Sequence, residues 1–109
     1  MVAASGLRNV ERLAVDLGKG PGRRYTVRLH FCEPDDRKPG TRVFDVRVQG
    51  KPAVTALDIA AEAGGARRPL VRELRGVEVT DRLELVFKPA RGSAGAVISG
   101  LEVNAEAER

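Results

Sequence analysis

Three carboxylates, Glu33, Asp35 and Asp36, fall within four positions of the segment EPDDRKPG (33–40), and Arg37 and Lys38 follow directly. Side chains of these types at this spacing suit two kinds of chemistry. Carboxylates accept hydrogen bonds from the hydroxyls of a sugar-like ligand while Arg37 donates to them. Several oxygens in one place also suit a hard cation, so calcium is the one ion worth naming here. A solvated loop stiffened by Pro34 and Pro39 accounts for the same residues. The segment ARGSAG (90–95) is the second candidate. Arg91 and Ser93 can donate there, and the glycines let backbone approach a ligand or another chain. It lacks the lysine-serine ending of a phosphate-binding loop, and a plain turn explains it equally well.

Catalysis finds little support in the remaining residues. A glycosidase needs two carboxylates held roughly 5–10 Å apart across a cleft, which neighbouring loop acids do not announce. His30 and Cys32 lie two apart on one strand face and could begin a metal site, but no other His or Cys exists to complete it. Cys32 as a nucleophile would need a base from off its own strand. No enzyme activity and no cofactor are therefore expected.

The elements that hold these loops are read from alternation. Tyr25, Val27, Leu29 and Phe31 share one face, as do Phe44, Val46 and Val48, and Leu83, Leu85 and Phe87. Val97, Ser99, Leu101 and Val103 align in the same way. Each run is a half-buried strand with one apolar face. Residues 12–17, 53–59 and 70–79 are weaker strand candidates, and DIAAEAGG allows one helical turn stopped by Gly64 and Gly65. Seven or eight antiparallel strands in 109 residues predict an all-β jelly-roll sandwich as a single domain over 1–109, with 1–9 and 105–109 as loose ends. If 24–31 and 42–49 pair as a hairpin with core faces matched, His30 sits opposite Asp45 in a structural hydrogen bond. Asp45 and Asp58 are expected to cap turns or pair with arginines.

A net charge of +4 carried by 15 arginines and 4 lysines invites a nucleic-acid reading. The basic residues are interleaved with acids along the whole chain, and aromatics make up only 4%, so the clustered charge and stacking rings of such a binder are missing. A GC-rich coding sequence, of the kind common in bacteria, writes the same arginine excess. No apolar run is long enough for a membrane span. The start lacks the basic and apolar regions of a signal peptide. A cytoplasmic chain and a piece of a longer exported one both remain open.

The succession YTVRLHFCEP, RVFDVRVQGKPAV, LDIAAEAGG, VEVTDRLELVFKP and AVISGLEV resembles the malectin and malectin-like carbohydrate-binding domains, in order as well as in its pieces, over residues 25–104. The resemblance implies a galactose-binding-type jelly roll that binds a glycan non-catalytically through loops at one edge, here 33–40 and 91–95. Glu33, Asp35, Asp36, Arg37, Arg91 and Ser93 are the contacts it suggests. The family's sugar-stacking aromatic pair falls on Asp35 and Asp36, and its loop aspartate on Ala94. A sugar would then be held by Arg, Asp and backbone groups. The alternative is a protein–protein interaction or structural module, or a homo-oligomer, that has lost the sugar site.

Overall fold

In the computed structural model, residues 2–18, 22–35 and 38–106 are described. The strands are β1 (Val2–Arg8), β2 (Arg12–Asp16), β3 (Arg23–Cys32), β4 (Phe44–Val48), β5 (Lys51–Leu57), β6 (Pro69–Val79), β7 (Arg82–Pro89) and β8 (Val97–Ala105). They form two four-stranded antiparallel sheets. Sheet A has the order β1-β8-β3-β6, and sheet B the order β2-β7-β4-β5. The apolar faces read from the sequence turn inward. Val27, Leu29, Phe31, Phe44, Val46, Leu83, Leu85 and Phe87 are all buried between the sheets. Burying such faces is the main stabilising term of a sandwich.

Three details differ from the sequence reading. First, β3 and β4 lie in different sheets, so the segment between them crosses the sandwich and closes no hairpin. His30 accordingly meets Glu102 on β8, with Nε2 at 2.8 Å from Oε1, and not Asp45. Asp45 accepts the N–H of Ala56 at 2.7 Å, supporting a left-handed residue within β5. Second, residues 2–8 form β1, which pairs with β8 along Leu7↔Ile98 and Arg8↔Val97. At the other end Ala105 closes β8, and 107–109 lie outside the described residues. Third, Ile98 is buried beside Val97, so Ser99 does not continue a strict alternation.

The short helix α1 (Ile59–Ala63) stands where a single turn is expected. Asp58 caps it by accepting the N–H of Ala61 at 3.1 Å. Gly64, at φ +81°, ends it in the left-handed conformation that glycine adopts without strain. Among the described residues no helix is long and apolar enough to cross a membrane.

Charges on the outer face of sheet A are paired across and along strands. Glu73 on β6 accepts from Arg28 Nε and Arg75 Nε, each at 2.8 Å, and Arg28 lies 3.9 Å from Glu102. These hydrogen bonds, the one from Arg28 first, hold the Glu73 carboxyl below its ordinary value. A depressed carboxyl contributes stability that is complete above the ordinary carboxylate range and is lost as pH falls through the folded-state value. Glu73→Gln should therefore lower stability slightly near neutral pH, and the gap should close on acidification. Urea unfolding of both proteins from about pH 7 to about pH 3 checks this; a gap that widens in acid contradicts it.

Candidate functional site

Three chain crossings between the sheets converge at one end of the sandwich. Residues 9–11 link β1 to β2, 33–43 link β3 to β4, and 90–96 link β7 to β8. Main-chain bonds lace them together: Val10 N–H to Ala96 O at 3.0 Å, Ala94 N–H to Thr41 O at 3.0 Å, and Ala90 N–H to Val43 O at 2.8 Å.

A buried ion pair locks this end. Glu33 and Arg42 are 1% and 5% exposed, so both ionic groups are out of water. Arg42 Nε donates to Glu33 Oε1 at 2.8 Å. Its second nitrogen, Nη1, donates to the carbonyl of Gly95, and Nη2 to Asp35 Oδ2 at 3.2 Å. Glu33 Oε2 accepts the N–H of Asp35 at 3.1 Å. One guanidinium thus ties the 33–43 segment to itself and to the 90–96 segment, using the fork geometry that lysine lacks.

Above this pair lies a cleft of about 290 Å³ lined by Arg8, Asn9, Asp35, Arg42, Ala94 and Gly95. Arg8 Nη1 reaches both Asp35 oxygens, at 3.1 and 3.2 Å. The two guanidinium groups and two carboxylates of this network balance one another in charge. Gly95 is required by close approach: a Cβ there would stand 2.2 Å from Asn9 Oδ1 and 3.2 Å from the Asn9 Cα. The cleft offers hydrogen-bond donors and acceptors and no ring. Phe31, Phe44 and Phe87 are buried in the core, and Tyr25 packs against it.

The sequence-suggested contacts separate accordingly. Asp35 stands on the cleft rim with its side chain 39% exposed. Glu33 lies beneath, committed to Arg42 and to the backbone of Asp35. Ser93 Oγ accepts the N–H of Val43 and donates to Ala94 O, each at 2.8 Å, so its hydroxyl braces the loop. Arg91 is exposed on the turn, outside the cleft lining. Asp36 and Arg37 lie outside the described residues. Arg8, Asn9 and Arg42 were not singled out in the sequence, although Arg42 shares the parity of Phe44, Val46 and Val48 and so points inward. For calcium, Glu33 and Asp35 both face guanidinium groups. Among the described residues no cluster of three or more His, Cys, Asp or Glu is arranged to hold an ion.

The sequence model of the Malectin domain matches residues 20–99. The chain belongs to the malectin domain family. A probable leucine-rich repeat receptor-like serine/threonine-protein kinase of Arabidopsis thaliana is 33% identical to this malectin domain over 106 residues, covering 84% of the chain and 10% of that relative. The chain spans about a tenth of the length of the curated relatives it matches, so the matched region is a small part of each receptor. Their plant origin lends nothing to a bacterial source.

Solved structures bear out the β-sandwich. A chain in the crystal structure of the plant peptide RALF23 in complex with FER and LLG2 superposes with TM-score 0.75 at 22% identity, over 86% of this domain and 26% of that chain. Bacteroides uniformis beta-glucuronidase superposes with TM-score 0.79 at 17% identity, over 94% of this domain and 11% of the enzyme. At these identities the likeness is one of fold alone.

Proposed function

We propose that this malectin domain is a non-catalytic carbohydrate-binding module that takes an uncharged glycan in the cleft between the 33–43 and 90–96 segments. The observation that carries the reading is the buried Glu33–Arg42 pair, which fixes Asp35 and the backbone of Gly95 at the rim of that cleft. Fixed donors and acceptors of both kinds suit sugar hydroxyls, and balanced charge disfavours an acidic ligand. Affinity comes from hydrogen bonds without ring stacking and is correspondingly modest. The carboxylates are engaged with guanidinium groups, which supports a binding role over acid–base work.

A second reading, a module for a protein partner, is favoured by the burial of every phenylalanine in the core. The relative solved with a bound peptide points the same way. A glycan array followed by calorimetry separates the two. Binding of a neutral glycan is expected, weakened about tenfold or more by Asp35→Ala, which removes a charged acceptor. Silence across the array, or affinity unchanged in Asp35→Ala with the same melting temperature, would overturn the glycan reading.

A further inference from the structure

β6 is the last strand of sheet A, bonded to β3 on one side only. Natural sheets usually blunt such an edge with charge, proline or a bulge. Here the bulge comes late. The pairing slips between Val27↔Leu74 and Tyr25↔Val77, around Gly76 at φ +68°, which leaves 69–74 as regular edge. That stretch carries Val71, the one large hydrophobic side chain exposed among the described residues, at 45%. Val71 sits opposite His30 on the outer face. The charges beside it are already matched within the chain, Arg72 by Glu62 and Glu73 by Arg28 and Arg75.

We propose that this edge pairs with the same edge of a second copy, antiparallel, about a two-fold axis through Val71. A two-fold perpendicular to a sheet opposes each residue with a partner on the same face, so the register can be tested by charge. Centred on Val71, the axis sets Val71 against itself, Leu70 against Arg72 and Pro69 against Glu73. Centred on Arg72 or Glu73, it opposes like charges directly. Centred on Leu70, it sets Arg72 against Arg68. Centred on Leu74, the ladder must run through the bulge at Gly76. Centred on Val71, the first like-charge opposition, Arg75 against Arg67, lies four residues from the axis and beyond the start of β6, and the exposed apolar side chain is covered. The shared edge is short, so the dimer is weak and concentration-dependent.

Cross-linking reads the register. In a Cys32→Ala background, Val71→Cys places two thiols at the axis, within disulfide reach. Glu73→Cys places its two thiols about 13 Å apart along the ladder, from four residues at ~3.3 Å each. Under mild oxidation Val71→Cys is expected to form covalent dimer at least about tenfold faster than Glu73→Cys. Sedimentation of the unmodified chain should approach dimer mass as concentration rises, with Val71→Lys remaining monomeric. Equal cross-linking at the two positions, or an unmodified chain that stays monomeric into the high-micromolar range, overturns the proposal.

Discussion

Truncating Arg42 to alanine is expected to cost about 3–5 kcal/mol of folding stability, because it leaves Glu33 charged, buried and without its partner. Few single changes in a domain of this size should cost more. Both side chains are almost completely enclosed, at 5% and 1% exposure, and Glu33 cannot turn to water without opening the end of the sandwich. The Gly95 carbonyl loses its donor in the same stroke. A total stability of roughly 5–15 kcal/mol would be reduced to a margin, and the melting temperature should fall by more than about 10 °C. Arg42→Lys keeps the charge but cannot serve Glu33, Asp35 and Gly95 together, so it should recover only part of the loss. The double change Glu33→Leu with Arg42→Met should be markedly more stable than Arg42→Ala, since no buried charge is then left alone. Thermal and urea unfolding of the four proteins check this. An Arg42→Ala loss under about 1 kcal/mol would mean that water reaches the pair.

The second large effect lies deeper. Phe44 is fully buried on β4 of sheet B and bridges the layers, with its ring 5.9 Å from Phe31 of sheet A and 6.4 Å from Phe87 of sheet B. The tilts of 60° and 50° suit the edge-to-face preference of aromatic rings. Phe44→Ala should cost about 3–5 kcal/mol through lost transfer energy and the cavity left between the sheets. Phe44→Leu, which refills most of that volume, should cost under about 1.5 kcal/mol. Denaturant unfolding with unchanged slope is the check. Equal losses for the two variants would place Phe44 outside the contact between the sheets.

Alternation made the strands legible because period two is a direct consequence of strand geometry, and each run had an apolar face to bury. It could not say which strands are partners. Leu29 and Val46 face the same core whether their strands pair in one sheet or oppose each other in two, and here they oppose. β1 was illegible because VAASGLR carries small residues and little alternation; it is held by its ladder with β8. The site was half legible. Charged residues in the 33–40 loop were visible, but composition could not tell rim from floor. Parity could have done so. Glu33 continues the inward series Tyr25, Val27, Leu29, Phe31, and Arg42 begins the inward series Phe44, Val46, Val48. Two opposite charges that each sit on a buried face, where either alone is costly, call for one another. Arg8 and Asn9 gave no such signal, since only the three-dimensional crossing of β1 to β2 brings them to the cleft.

Hydroxyl recognition at this cleft is the property that distinguishes a sugar-binding module from a bare scaffold. An amide-resolved NMR titration of the labelled chain with neutral mono- and disaccharides at millimolar concentration addresses it most directly. Saturable shifts concentrated at Asn9, Asp35, Ala94 and Gly95, and lost in Asp35→Ala, are the predicted result. Shifts confined to the β6 edge or to a sheet face, or no saturable shift with any sugar, would contradict it.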